Sequence, residues 1–475
     1  MLPKTIESSS RMAAPAASDI TSLIAGRDIA AKQTLGLDGS IIQGSSDLVL
    51  YGPGDFLAAA GRDLGPFNTG AATGGGIFAV GNGGNGSSGS LSIPVNSYLP
   101  LAGANLTLLY GIGPGVDYAA AISQYVDPAH AGTGGISFLS DIAAILGEAP
   151  GPAWATFRTL PLLRQQLLVD RAFLDFLKQV SLDYNNASSP YHGQYARAYQ
   201  AISTLFPASL GYTNNDTGGG NGASGTVHTG DLRMTRSLIE TQTGGDINLL
   251  GPGGNAYVGS NSADALSPSQ EGVLTLQGGS INTYNDGSVL VYQSRIFTEQ
   301  GGDVSMFSAN GDLNAGKGPK SAAAYPPLEL ICDEDGYCRV NPAGLVTGAG
   351  IGALLSIPGQ DPTKSNVVLT APHGTVDAGA AGIRVAGNLN IVALHVANAF
   401  NIQVSGASLG IPVQSGPPVA ALTTASNANA ATQQSTLPSQ SNGASDQPSI
   451  ILVEFLGFGG PQGIDDDEKR RRSQQ

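Results

Sequence analysis

The chain has 475 residues, of which 67 are glycine and 12 % are charged. Glycine is about twice as frequent as in average globular proteins and charged residues about half as frequent. This composition is atypical of a helical globular enzyme, because glycine disfavours helix interiors and charges cover helix surfaces. The balance of 22 basic and 36 acidic residues gives a net charge of −14, which argues against binding to nucleic acid or to anionic lipid.

Residues 1–18 are polar and rich in alanine and serine, and we expect them to form a disordered lead-in. They lack the continuous apolar segment of a signal peptide. Because an exported protein needs such a signal, we expect this chain to be a fragment of a longer protein. No uncharged apolar run reaches about 18 residues, so the sequence predicts no membrane insertion.

Residues 19–116 contain short strand-like runs that end at glycine-rich turns. From 117 to 207 glycine becomes rarer and helix formers dominate. Within 159–181 four leucines recur at helical spacing and predict a helix with one apolar face: Leu163, Leu167, Leu174 and Leu177. The sequence thus predicts a helical insertion at 117–207. We favour a structural role for it, covering exposed strand edges, over the alternative of a projecting adhesive module.

Residues 208–229 read as a loop rich in glycine and asparagine, and strand-like runs resume over 230–413. Here a phrase recurs: SLIETQTGGDINLLGPGG begins at Ser237 and SRIFTEQGGDVSMFSANG at Ser294, with a partial copy, GGSINTYNDGS, at Gly278. Each copy joins a Gly-Gly turn to a run of alternating apolar and polar residues, which is typical of a strand. The predicted turn glycines are Gly244, Gly245, Gly278, Gly279, Gly301 and Gly302.

Recurrence of a turn-plus-strand unit predicts an all-β solenoid in which stacked rungs bury their apolar residues. We expect a parallel β-helix interrupted by the helical insertion, and an antiparallel β-sandwich stays open as an alternative. Residues 414–448 are a low-complexity run that predicts a flexible linker. Residues 449–475 form a terminal strand-like run and a charged tail.

Two cysteines are present, Cys332 and Cys338, on either side of the sequence DEDGY. They form a disulfide if the protein is exported to an oxidising compartment, or they stay free thiols. The three acids Asp333, Glu334 and Asp335 lack the D-x-D-x-D-G spacing of a calcium loop, so we expect a solvated turn. Two cysteines alone do not make a structural zinc site.

No pattern in the sequence predicts catalysis, and we expect no catalytic residue, metal or cofactor. The five histidines lie in unrelated contexts, and glycine-rich strings lack the strand–helix unit of a dinucleotide site. Asp246 and Asp303, the acids of the repeated phrase, are predicted to hydrogen-bond their own turns.

Residues 230–259 (GDLRMTRSLIETQTGGDINLLGPGGNAYVG), 287–321 (GSVLVYQSRIFTEQGGDVSMFSANGDLNAGKGPKS) and 344–359 (GLVTGAGIGALLSIPG) resemble the C-terminal part of filamentous haemagglutinin family exoproteins. The segment YHGQYARAYQAISTLFP before them and IILVEFLGFGG near the end are also similar to that family. The resemblance implies a right-handed parallel β-helix that Gram-negative bacteria export by two-partner secretion.

The function that the resemblance implies is adhesion, without enzyme activity, at the cell surface or after secretion. The implied partners are an outer-membrane two-partner secretion transporter for the full-length protein, and a receptor or glycan on a host or bacterial surface. Two alternatives stay open: a β-helical polysaccharide lyase or hydrolase, since some β-helices cleave polysaccharides with paired carboxylates, and an inert carrier segment or split-gene fragment that only folds or aids export.

Overall fold

A computed structural model describes residues 16–31, 46–68, 75–81, 102–212, 228–261, 265–268, 270–318, 348–355 and 361–412, and the backbone of a few further short strands. All of them belong to one compact unit, Met1–Pro412. The second unit, Val413–Gln475, lies outside the described residues, and with it the predicted linker at 414–448 and the terminal segment at 449–475. Most of the predicted loop at 208–229 also lies outside them.

Short strands precede the helical segment. They are β1 (Lys4–Ile6), β2 (Ser10–Ala13), β3 (Ile20–Ala25), β4 (Ile29–Ala31), β5 (Thr34–Leu35), β6 (Ile41–Ile42), β7 (Asp47–Tyr51), β8 (Asp55–Ala60), β9 (Gly75–Ala79), β10 (Asn85–Gly86), β11 (Leu91–Ser92) and β12 (Asn105–Leu109). Strand β2, which pairs in parallel with β7, lies within the stretch 1–18 that the sequence predicts to be a disordered lead-in.

The helical segment contains α1 (Tyr118–Ala121), α2 (Leu139–Leu146), α3 (Pro150–Thr159), α4 (Leu162–Asn185) and α5 (Ala196–Leu205). A π-helical turn at Ile122–Val126 and 3-10 turns at Thr133–Gly135 and Ala208–Leu210 complete it. The helix predicted from residue 159 begins at Leu162, because Thr159 is the last residue of α3 and Pro161 is the N-cap of α4.

Short strands follow the helices. They are β13 (Leu232–Met234), β14 (Ser237–Thr241), β15 (Ile247–Gly251), β16 (Ala256–Val258), β17 (Gly272–Thr275), β18 (Ile281–Asn285), β19 (Val289–Val291), β20 (Arg295–Thr298), β21 (Val304–Ser308), β22 (Leu313–Asn314), β23 (Leu330–Cys332), β24 (Cys338–Val340), β25 (Gly350–Ala353), β26 (Val367–Asp377), β27 (Ile383–Val385), β28 (Leu389–Ala397), β29 (Ile402–Val404) and β30 (Ser408–Leu409). Short 3-10 turns lie at Pro362–Lys364 and Ala399–Asn401.

The longer strands pair in parallel to form three stacks. Stack A has the order β3-β8-β12-β15-β18-β21-β26-β28-β30, and stack B the order β2-β7-β9-β14-β17-β20-β25-β27-β29. Stack C runs β13-β16-β19-β22 and continues into the second halves of β26 and β28. Strand β26 pairs with β21 at Val367–Thr370 and with β22 at Val376–Asp377, so it joins stacks A and C into one sheet.

Successive passes of the chain supply one strand to each stack. The strands β14, β15 and β16 are followed by β17, β18 and β19, and each pairs with the strand three places later. We call one such pass a rung. Two large parallel sheets built in this way are compatible with the predicted β-helix, and they correct the antiparallel sandwich considered as its alternative.

The core between the stacks comes from alternate residues of each strand. In β15, Ile247 and Leu249 belong to this core, whereas Leu250 packs against the helices. In stack B one column of paired, fully buried residues runs through five rungs: Ile239, Val273, Ile296, Ile351 and Ile383. Each such side chain contributes roughly 1.5–3 kcal/mol through burial.

The helical insertion interrupts a single rung. Strands β9, β12 and β13 each pair with the corresponding strand of the β14–β15–β16 rung, and the helices lie in the chain between β12 and β13. Their apolar residues pack on outward side chains of stack A, among them Leu109, Tyr284 and Phe307. The ring of Phe173 meets Tyr284 edge to face at 5.3 Å. The insertion therefore covers the outer face of stack A.

Candidate functional site

The repeated phrase forms the turn from stack B to stack A. In three successive rungs the threonine hydroxyl donates to the carbonyl of the second glycine: Thr241 to Gly245 (2.9 Å), Thr275 to Gly279 (2.9 Å) and Thr298 to Gly302 (2.8 Å). All six predicted turn glycines have positive φ, between 71° and 102°. The left-handed region favours glycine, so the phrase serves the turn geometry.

The acid of the phrase connects neighbouring rungs. The carboxylate of Asp246 accepts a hydrogen bond from the backbone N–H of Ser280 at 2.8 Å, and that of Asp303 accepts one from Asn366 at 2.9 Å. The prediction that both acids bond within their own turns was wrong. Each acid instead accepts a backbone N–H of the rung that follows it.

The same bond is repeated along the edge of stack A. The side-chain oxygens of Asn105, Ser280, Asn366 and Asn388 each accept from the backbone N–H of the next rung, at 2.9–3.1 Å. We call this row the turn ladder; it consists of Asp55, Asn105, Asp246, Ser280, Asp303, Asn366 and Asn388, which occupy equivalent positions in the strand register. Asp55 differs from the others because it accepts a hydrogen bond from the side-chain amide of Asn105, at 3.0 Å, while the Asn105 backbone N–H donates to the carbonyl of Gly54. The ladder satisfies turn N–H groups that would otherwise lack partners.

Basic side chains of α4 pair with the acids of the turn ladder. Arg164 forms an ion pair with Asp55. Arg171 lies 3.4 Å from Asp246 and 3.9 Å from Asp55, and Lys178 lies 2.5 Å from Asp303. The three basic side chains are only 19–24 % exposed. Sequence reasoning missed these contacts, although the spacing of seven residues between the three cations was visible.

The C-terminal end of α4 is anchored by neutral groups. The Asn185 amide donates to the side-chain oxygen of Asn390 at 2.8 Å and to the carbonyl of Ile391 at 2.9 Å. One turn earlier, the buried hydroxyl of Ser181 meets Thr370 at 2.6 Å, and its carbonyl accepts from Asn390 at 2.8 Å. These bonds fix α4 to β26 and β28.

A groove of about 510 Å³ lies between α4 and the last rungs of stack A. Its walls include Leu182 and Leu409, which are 37 % and 50 % exposed. Lys178 and Asp303 also line it but neutralise each other. The other lining groups are aliphatic side chains and asparagine amides: Val367, Val368, Leu389, Ala407, Asn366, Asn388 and Asn390. This chemistry suits binding of a neutral surface better than proton transfer.

A second ladder, formed by Asp28, Asp63 and Asp231, precedes stack C and brings a histidine and an arginine to one of its acids. His228 lies 2.7 Å from Asp231, and Arg233 lies 3.2 Å from the other oxygen of that carboxylate. However, Asp231 also accepts the backbone N–H of Asn255 at 3.0 Å, as the equivalent Asp63 accepts that of Asp231. The carboxylates therefore have a structural task that requires no substrate.

One carboxyl group is buried inside the insertion. Asp170 in α4 is 1 % exposed and accepts a hydrogen bond from the Tyr118 hydroxyl at 3.1 Å. Burial raises the pKa of the Asp170 carboxyl to about 7, against a smaller lowering by the Tyr118 bond. Its other oxygen has no hydrogen-bond partner among the described residues. Burial therefore disfavours the ionised form of this carboxyl group.

The two cysteines lie on adjacent strands. Strands β23 and β24 form an antiparallel hairpin in which Cys332 and Cys338 are directly opposite. Opposite residues in such a pair have Cα atoms about 4.5–5.5 Å apart, within the range that a disulfide spans. The acids Asp333, Glu334 and Asp335 lie outside the described residues.

The described residues offer neither a metal site nor a membrane-spanning helix. Over the described ranges, no group of three or more His, Cys, Asp or Glu side chains could hold a metal ion. In the same part of the chain, every helix is too short or too polar to span a bilayer.

A family comparison bears on the last rungs. Residues 301–413 match a family model described as "Filamentous haemagglutinin family outer membrane protein". The resemblance to the filamentous haemagglutinin family is confirmed there. The match begins at the Gly-Gly-Asp of the second full phrase and includes the strands from β21 to β30. No curated protein and no solved structure matches the chain.

Proposed function

We propose that this chain is a non-enzymatic, C-terminal shaft segment of a large secreted or cell-surface adhesin of the filamentous haemagglutinin type. The observation that carries the proposal is the coincidence of the family match at 301–413 with parallel strand stacks. In the proposed shaft the three stacks form the sides of a right-handed parallel β-helix. Such a rod is rigid because each rung is bonded to the rungs on both sides.

The proposed shaft presents its groove to another surface. The full-length protein would reach the cell exterior through an outer-membrane two-partner secretion transporter, and its ligand would be a receptor or glycan on a host or bacterial cell. The groove supports this role since it combines exposed leucines with neutral amides. Apolar patches with polar rims are typical of interaction sites.

Binding of the labelled chain to host and bacterial cells tests adhesion. The informative variant carries Leu182→Glu and Leu409→Glu in the groove, and the matched control is Leu210→Glu, whose side chain is 38 % exposed and outside the groove. We expect the groove variant to lose most of its cell binding while its circular dichroism and the control's binding stay unchanged. Absence of binding by the unaltered chain to every cell type would favour the inert carrier.

The lyase or hydrolase alternative is supported by one specific observation, the contact of His228 with Asp231 beside Arg233. Incubating the chain with plant and bacterial polysaccharides, and measuring new reducing ends and unsaturated sugars, tests it. Turnover that disappears in His228→Ala would overturn the adhesin proposal in favour of an enzyme.

A further inference from the structure

The anchors of α4 recur with the period of the strand stack. Arg164, Arg171, Lys178 and Asn185 are each seven residues apart. Seven residues advance an α-helix by about 10.5 Å. Their partners lie on β8, β15, β21 and β28, which are each two strands apart in stack A. Two strand spacings are about 9.6 Å.

The remaining mismatch is small enough for the side chains to absorb. It amounts to about 0.9 Å per step from the two periods. The long Arg171 side chain contacts both Asp55 and Asp246, so its position tolerates such a shift. At the last step the short Asn185 reaches both Asn390 and the carbonyl of Ile391. The helix therefore lies along the stack in register with every second rung.

These contacts connect parts of the chain that are far apart in sequence. The Lys178–Asp303 bond spans 125 residues and the Asn185–Asn390 bond spans 205. In a solenoid without such an element each rung contacts only its neighbours, so distant rungs open independently. Here one helix touches the first and the seventh strand of the series β8 to β28 directly.

We propose that the helical insertion is a clamp that couples the rungs from β8 to β28 into one cooperative unit. Opening of the C-terminal rungs then requires α4 to leave the stack, which also releases the N-terminal rungs. The inference does not depend on the adhesin proposal, because it rests only on contacts within the chain.

Hydrogen exchange of the full chain, read by mass spectrometry of peptides, tests the clamp. The informative variant is Arg164→Met, which removes one anchor at β8 without adding repulsion. We expect amide exchange in Val367–Thr370 and Leu389–Val392, six strands from the altered anchor at the farthest, to accelerate at least tenfold. The matched control is Arg158→Met in α3, which removes a cation that lies over the Trp154 ring and forms no ion pair with a strand in the part of the chain that the structure describes. Its exchange pattern should equal that of the unaltered chain.

A second variant keeps the test decisive if Arg164→Met does not fold. Asn185→Ala removes the opposite anchor, and the clamp predicts faster exchange in β8 and β12, the strands nearest Asp55. Acceleration confined to the strands beside the altered residue, in either variant, would overturn the proposal and leave α4 as a local cover of stack A.

Discussion

The two glycines of one turn should differ sharply in their tolerance of alanine. Gly278 and Gly279 have similar positive φ angles, 71° and 88°. A Cβ at Gly278 would meet nothing within 4 Å, whereas a Cβ at Gly279 would lie 2.2 Å from the backbone oxygen of Gly245 in the preceding rung. The pair thus separates the cost of the backbone conformation from the cost of rung contact.

The expected losses of stability follow from the cost of the backbone conformation and the cost of the rung contact. Alanine in the left-handed region costs roughly 1–2 kcal/mol, which applies to both positions. Only Gly279→Ala also forces two rungs apart, and overpacking of this kind typically costs about 1–3 kcal/mol. We therefore expect a loss of about 1–2 kcal/mol for Gly278→Ala and about 2–5 kcal/mol for Gly279→Ala.

Guanidinium denaturation followed by circular dichroism measures the difference, provided that the m-value is unchanged. The same contrast should appear at Gly301 and Gly302, where the second Cβ would lie 2.0 Å from the Gly279 oxygen. Equal destabilisation by Gly278→Ala and Gly279→Ala would refute the assignment of the second glycine to rung stacking.

Three further predictions concern a buried carboxyl group, the cysteine pair and a turn hydroxyl. Burial raises the pKa of the Asp170 carboxyl above its unfolded value, so its ionisation costs stability as pH rises from about 4 to about 7. The variant Asp170→Asn should therefore raise the unfolding free energy by up to about 4 kcal/mol at pH 8 and change it little at pH 4. A gain in stability that is independent of pH would contradict this. Cys332 and Cys338 should form an intramolecular disulfide after air oxidation, which stabilises the folded chain by about 2 kcal/mol. The non-reduced peptide would then be lighter by the mass of the two thiol hydrogens. Alkylation of both thiols after oxidation would contradict this prediction. Thr275→Val should cost about 1 kcal/mol by urea denaturation, since it removes the hydroxyl bond to Gly279, and an unchanged midpoint would count against that bond.

Local features of the fold could be predicted from the sequence because they are encoded within a few residues. The turn glycines need positive φ, and Ile247 and Leu249 alternate with outward neighbours, so the phrase alone predicted a turn and a strand. The helical face of α4 was likewise predicted, and Leu167, Leu174 and Leu177 are buried in the insertion.

Pairings between distant residues could not be predicted from the same patterns. The spacing of Arg164, Arg171 and Lys178 acquires a meaning only when Asp55, Asp246 and Asp303 lie on every second strand. That register depends on how many residues each rung uses, and the rung of β12 is interrupted by the whole insertion. The hydrogen bonds of Asp246 and Asp303 could not be predicted for the same reason, because their backbone N–H donors belong to another rung.

Repulsion between carboxylates explains why acidic and neutral residues alternate along the turn ladder. Carboxylates on adjacent strands, about 4.8 Å apart, would repel by roughly 3.5 kcal/mol at an effective dielectric constant of about 20, and a spacing of two strands halves this. Neutral Asn105 and Ser280 stand between the acids and still accept the next N–H.

The second ladder supports this explanation, because its acids are adjacent and each has a cation nearby. There Asp28, Asp63 and Asp231 follow one another without a neutral residue between them. Arg62 pairs with the first of these acids, and Arg233 contacts the other two. Adjacent acids thus occur where cations from the rungs neutralise them, whereas the turn ladder spaces its acids to the period of a helix. In the turn ladder, aspartate therefore occurs where a cation of α4 contacts the side chain, and asparagine or serine occurs between these positions.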